Sequence, residues 1–184
     1  MGHGESAGLF LVNTLFTLYM SVVFLRIVLR WVRANFHNPI SQFIWQVTNP
    51  PLNPLMRIVP RWRQLDTAAL VFLILLAIAH VALVLALTPY QAGIAGILWL
   101  AILKLLTVAL NTYTFTIFVH AIMSWFGPQQ ANPAAAVLWS GNEPVLAPAR
   151  RILPPLGGFD LSPLVVILVL QALQIWIGLP NLLR

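Results

Sequence analysis

Four apolar runs, at residues 8–32, 67–88, 102–126 and 161–183, govern what this chain can fold into. A membrane crossing needs about 20 predominantly apolar residues, because about 30 Å of hydrocarbon is spanned at 1.5 Å per helical residue. Each run meets that length. No water reaches a bare peptide group inside hydrocarbon, so the runs must be helices whose backbone hydrogen bonds close internally. Composition agrees, with 60% apolar and 8% charged residues among 184, far from the balance of a soluble domain. The expected fold class is an all-α membrane protein with four transmembrane helices. The first six residues lack the basic segment and small-residue cleavage site of a signal peptide, so the first run is expected to be kept as a helix.

The runs are not independent. Shifting the chain by 94 residues aligns its halves without a gap: Tyr19 falls on Tyr113, Phe24 on Phe118, Trp31 on Trp125 and Asn38-Pro39 on Asn132-Pro133. The register continues through Trp45 on Trp139, Pro50 on Pro144, Pro54 on Pro148, Arg57 on Arg151, Pro60 on Pro154 and Asp66 on Asp160. The chain thus reads as two tandem copies of a helix–loop–helix unit. The first copy covers 1–88, with spans at about 8–32 and 67–88 and a loop at 33–66. The second covers 102–184, with spans at about 102–126 and 161–183 and a loop at 127–160. Each copy has an even number of spans, so the two lie parallel, related by an axis along the membrane normal. Residues 89–101 connect them, either as a short re-entrant or interfacial helix or as an extension that makes the third span long and tilted.

The loops are too long for simple connections and too apolar for linkers. Ile40, Phe43, Ile44 and Val47 recur at helical spacing, and Leu52, Leu55, Met56 and Val59 form a second short run. Asn and Pro punctuate both runs, which predicts short amphipathic helices lying in the headgroup plane. Arg30, Arg33, Arg57, Arg61, Arg63, Arg150 and Arg151 lie in or beside these loops, seven of the ten basic residues. The positive-inside rule then places loops 33–66 and 127–160 in the cytoplasm of a multi-pass inner (plasma) membrane protein, with both termini outside. The same arginines predict contact with anionic lipid headgroups and ion pairs to Asp66 and Asp160. This placement of charge argues against nucleic acid as a partner.

The fullest motif runs Arg150-Arg151-Ile152-Leu153-Pro154-Pro155, then Gly157-Gly158 and Asp160-Leu161-Ser162-Pro163. Arginines complement a helix C-terminus, the prolines end it, the glycines permit a reversal, and Asp160 or Ser162 can cap the next helix with Pro163 in its first turn. With Trp125 and Asn132-Pro133 upstream, these residues resemble the YggT family, called YlmG in other bacteria and in chloroplasts. The resemblance extends over nearly the whole chain. The first copy keeps only Arg57, Pro60 and Asp66 as a skeleton of the motif. The resemblance implies a small bacterial inner-membrane protein without an assigned reaction, and links to osmotic or potassium stress, cell division, or maturation of a cytochrome b in chloroplast relatives.

Polar residues within the spans are costly and therefore informative. The repeat aligns Arg26 with His120 and His80 with Gln174, which predicts equivalent layers in a pseudo-symmetric four-helix core. Arg26 is shallow enough to snorkel to the headgroups, as is Lys104 at the outer end of its span. A haem between His80 and His120 fails on depth, since the two differ by roughly 10 Å along the bundle. His80, Asn111, Gln171 and Gln174 either line a polar path or tie helices together by hydrogen bonds. With four acidic residues, none suitably paired, no cysteine, no nucleophile motif and no phosphate loop, no catalytic or metal residues and no cofactor are expected. The leading expectation is a non-enzymatic scaffold or assembly factor with membrane-protein partners or further copies of itself; the alternative is a small ion channel or transport accessory.

Overall fold

A computed structural model describes residues 3–60, 65–125, 132–153 and 160–183. Six α-helices follow one another: α1 (His3–Trp31), α2 (Pro39–Ile58), α3 (Thr67–Ala86), α4 (Ile94–Trp125), α5 (Pro133–Ile152) and α6 (Ser162–Ile177), with a short 3₁₀ turn at Asn181–Leu183. Helices α1, α3 and α4 are long and apolar enough to cross a membrane, whereas α6 is a shorter apolar helix. At 16 residues it extends about 24 Å. Gly178, in the left-handed region at φ 64°, ends it, and the following residues turn back so that Leu179 and Leu183 are buried in the main apolar cluster. The connector starts as an irregular stretch and becomes the first turns of the 32-residue α4. It is an extension of the third span and not a separate helix.

The loops differ from expectation in one respect: each holds a single continuous 20-residue helix in place of two short ones. Asn38 and Asn132 accept the backbone N–H of Ile40 and Ala134, both at 2.9 Å, and Pro39 and Pro133 occupy the first turn. Those starts follow the capping rules. The interior prolines, Pro50, Pro51 and Pro54 in α2 and Pro144 and Pro148 in α5, do not divide the helices. Each proline loses only its own donor, and tertiary packing of Leu52 and Leu146, both fully buried, holds the chain helical across them.

Helix α2 packs on α1 and α3, and α5 on α4 and α6. The Asn38 side chain donates to the Pro133 carbonyl at 2.7 Å, joining the starts of the two loop helices. Between the copies α4 is central, touching α1, α3, α5 and α6, while α6 makes no contact with α1 comparable to that of α3 with α4. The two copies are therefore alike in local structure, but the pseudo-symmetric core expected from the repeat is broken. The mid-helix surface is apolar, with Leu15, Leu18, Phe115, Phe118 and Leu168 all more than half exposed, as suits a chain whose helices meet hydrocarbon.

Candidate functional site

The polar chemistry of the first copy gathers at the start of α3. Asp66 caps that helix, its Oδ1 accepting from the Ala69 N–H at 3.2 Å. Its Oδ2 accepts from Arg26 Nε at 2.9 Å and Arg30 Nη1 at 3.2 Å. Arg26 also donates through Nη1 to Thr48 Oγ1 at 2.8 Å and Asn49 Oδ1 at 2.7 Å, and its guanidinium lies 5.2 Å from the centre of the Trp45 ring. One side chain thereby joins α1, α2 and α3. Arg26 is 1% exposed and Asp66 3%, so Arg26 does not snorkel to the headgroups. A counter-charge within reach makes burial cheaper than a stretched side chain in hydrocarbon. Burial pushes the Asp66 carboxyl up, but hydrogen bonds and charge from Arg26, the Ala69 N–H and Arg30 outweigh it and leave the group below its ordinary value.

The second copy builds the same feature with a different arginine. Arg150 Nε donates to Asp160 Oδ2 at 2.8 Å, Nη1 donates to Glu143 Oε2 at 2.9 Å, and the guanidinium stands 4.7 Å from the centre of the Trp139 ring. Trp139 and Asp160 are the repeat equivalents of Trp45 and Asp66, but Arg150 corresponds to Met56 and His120 to Arg26. The arginine has moved from the spanning helix to the loop helix. His120 is buried against Trp139, ring centres 5.4 Å apart, and its Nδ1 has no hydrogen-bond partner among the described residues. The Arg150–Asp160 pair is more open, with 25% and 40% of the side chains exposed. At Asp160 burial again raises the carboxyl, and Arg150 together with the Ser162 N–H brings it below the ordinary value. Asp160, and not Ser162, supplies the turn at the start of α6: its Oδ1 accepts from Ser162 N at 2.9 Å. Pro163 sits in the first turn. Between α4 and α5, Thr116 Oγ1 donates to Asn142 Oδ1 at 2.8 Å.

A cavity of about 760 Å³ opens beside this second bracket, walled by α4 and α6 and roofed by α5. His120, Trp139, Arg150 and Asp160 line one end, and Phe118, Ile122, Leu164 and Leu168 line the rest.

Farther from the loops lies a second polar group. His80 Nε2 is 2.8 Å from Asn13 Oδ1, and Asn13 Nδ2 donates to the Leu182 carbonyl at 3.0 Å. The His80 ring stacks on Phe16 at 5.1 Å. Lys104, expected to snorkel, is 2% exposed and donates to Thr17 Oγ1 at 2.8 Å and the Leu183 carbonyl at 2.6 Å. The folded-back tail supplies those carbonyls. Asn111, Gln171 and Gln174 line a cavity of about 400 Å³ with Lys104 and Thr17, at the place where α6 fails to meet α1. His80 is not among the residues lining it. Gln174 also approaches Thr114 Oγ1 at 3.5 Å. The four polar residues thus divide between interhelical bonding and a lined space.

Arg57, Arg151 and Pro60 are exposed, and the Pro60 carbonyl accepts from Thr67 Oγ1 at 2.7 Å. Pro154, Gly157 and Gly158 lie outside the described residues. Thr48, Asn49 and Glu143 join the site without having stood out in the sequence. For Thr48 and Asn49 the signal is Arg26 itself, since a cation inside an apolar run requires partners from neighbouring elements; Glu143 pairs with Arg150 of the loop helix, and no residue inside a span pointed to it.

Comparison with known proteins follows the repeat. The CCB3/YggT family profile matches twice, at residues 6–87 and 99–180. An uncharacterised protein of Pseudomonas aeruginosa is 38% identical over 172 residues, spanning 92% of this chain and 87% of its own. The uncharacterised protein YggT of Escherichia coli K12 is 34% identical over 170 residues, 92% of this chain and 88% of its own. The chloroplast protein CCB3 of Arabidopsis thaliana, named for cofactor assembly, is 30% identical over 76 residues, 41% of this chain and 38% of its own. No solved structure gives a significant match. With both copies matched over their spans and loops, the chain belongs to the CCB3/YggT family.

Proposed function

We propose that this protein is a non-enzymatic scaffold or assembly factor of the bacterial inner membrane, working through its two loop helices on the cytoplasmic side. The observation that carries this reading is the fixed platform those helices form. Helix α2 is held by Arg26 through Thr48 and Asn49, helix α5 by the Arg150–Asp160 pair, and Asn38 joins their starts. Their outward positions carry apolar side chains: Phe43 is 62% exposed, Ile58 80% and Ile152 79%. A rigid apolar surface suits contact with membrane-protein partners or a second copy of the chain, while the exposed Arg57 beside it suits anionic lipid headgroups. The assembly role in the name of the chloroplast relative favours the same reading.

Photocrosslinking from Phe43 and Ile58 positions in native membranes tests it. Discrete protein adducts are expected at both, lost when Asp66→Asn loosens α2. Labelling of lipid alone at both positions would count against the reading.

A channel or transport accessory linked to potassium or osmotic stress is the second reading, supported by the cavity at Asn111, Gln171 and Gln174. Lys104 in that cavity weighs against passage of a cation, because a buried ammonium repels one. Purified protein in liposomes is expected to carry no potassium flux. A flux abolished by Gln174→Leu would replace the scaffold reading.

A further inference from the structure

The two brackets differ in what they leave open. In the first copy Arg26 reaches inward from α1, and its side chain fills the space between the two spans and α2. In the second copy the position holds the shorter His120, and the guanidinium comes from α5 instead. A cavity of about 760 Å³ opens beside that position, lined by both His120 and Arg150.

We propose that this groove binds an acyl chain of a zwitterionic aminophospholipid, whose head group rests on the Arg150–Glu143–Asp160 cluster. The groove's size decides against a partner's helix. At a diameter of about 10 Å, two helical turns already occupy more than this volume, whereas small-molecule sites fall between roughly 300 and 1,000 Å³. Its walls are apolar, and Phe118, Leu164 and Leu168, at 54%, 59% and 58% exposure, mark a rim open to the hydrocarbon side. A lipid chain can therefore enter laterally without leaving the membrane. His120, 3% exposed, lines the groove beside Trp139.

Charge selects the head group. Asp160 and Glu143 share the single Arg150 guanidinium, so the cluster carries one negative charge in excess. An ammonium group neutralises that excess, and the exposed Arg151 one position on is available to the phosphate. A head group bearing only a phosphate meets two carboxylates and is disfavoured.

The test uses the full chain in nanodiscs with phosphatidylethanolamine carrying a diazirine in its acyl chain, read by mapping adducts by mass spectrometry. Adducts at Ile122 and Ile167 are expected to exceed those at Ile175 and Trp176, which are exposed outside the groove, by about tenfold. Two groove-filling variants on different helices, Ala121→Phe and Leu168→Trp, are expected to remove that excess while Ile175→Phe keeps it. Uniform labelling along α6, or an excess that survives both fillings in protein that elutes as wild type, would overturn the site. Equal or stronger labelling by phosphatidylglycerol with the same chain would overturn the head-group assignment. Displacement by an isoprenoid quinone at lower concentration than by phosphatidylethanolamine would overturn the lipid class.

Discussion

Arg26 and Arg150 come from non-equivalent positions of the repeat, yet each sets its guanidinium over the repeat-related tryptophan, at 5.2 Å from Trp45 and 4.7 Å from Trp139, and pairs with the repeat-related aspartate. What the two copies share is a guanidinium held between an indole and a carboxylate, and the helix that supplies it is free to change. That freedom has energetic consequences, because the first pair is buried and the second is open to solvent.

Asp66→Asn should therefore cost far more than Asp160→Asn. Neutralising Asp66 strands the Arg26 charge at 1% exposure, and breaking one partner of a buried pair costs about 3–5 kcal/mol. Asp160 is 40% exposed at its side chain, and water replaces much of what Arg150 loses, so about 1 kcal/mol is expected. Thermal unfolding in mild detergent compares them. Arg26→Met combined with Asp66→Asn should recover a large part of the first loss, and failure of the double variant to exceed Asp66→Asn alone would show that the pair is not the source of the stability.

Acid should act through the same group. A free aspartate titrates near 3.9, and Asp66 is held below its ordinary value when folded. The folded state thus binds this proton more weakly than the unfolded state does. The stabilisation is complete above about pH 4 and is lost as pH falls through the lower folded value. The quantity to read is the difference between the chain and Asp66→Asn, in which the other titrating groups cancel. That difference in unfolding temperature should hold steady above about pH 4 and shrink as pH falls below it. A difference that stays constant through pH 4 would place the acid sensitivity elsewhere.

Much of this is legible in the residues. The register of Asn38-Pro39 on Asn132-Pro133 and of Asp66 on Asp160 forecasts the helix starts, because capping is local chemistry that a short stretch specifies. The alignment of Arg26 with His120 misleads, because a repeat register locates backbone positions and says nothing of where a long side chain reaches. Elimination finds the pair: Arg26 needs a counter-charge, and Asp66 is the one acidic residue near its end of the first unit. The proline-rich loops read as broken because proline destabilises an isolated helix, whereas α2 and α5 are packed against spans. The unmatched α6 is hidden for the same reason, since which helices touch depends on both copies together.

Gly141 marks the crossing of α5 over α1. A Cβ there would meet Leu29 Cδ2 at 3.8 Å and Val28 Cγ1 at 4.0 Å, an ordinary contact. Gly141→Ala should consequently be neutral or stabilise by up to about 1 kcal/mol through helix propensity. Gly141→Leu has no room between α5 and α1 and should lower the unfolding temperature, since small residues let helices approach. Equal behaviour of the two variants would mean that α5 does not rest on α1 at this point.

The relocated arginine can be moved back. Arg26 and His120 share a repeat position, and the His120 ring lies 5.4 Å from Trp139, close to the 5.2 Å at which Arg26 meets Trp45. An arginine at 120 can therefore reach the indole and Asp160 from α4. Arg150→Met alone leaves Asp160 and Glu143 unpaired, and His120→Arg alone sets a second guanidinium against the Trp139 face that Arg150 already occupies. Both single changes should destabilise. Together, His120→Arg and Arg150→Met rebuild in the second copy the arrangement of the first, with a favourable coupling of about 1–3 kcal/mol. A double-mutant cycle on detergent unfolding measures that coupling directly. A coupling near zero, or a double variant weaker than Arg150→Met, would mean that the two brackets are not interchangeable and that His120 holds its place for a reason other than the guanidinium it displaced.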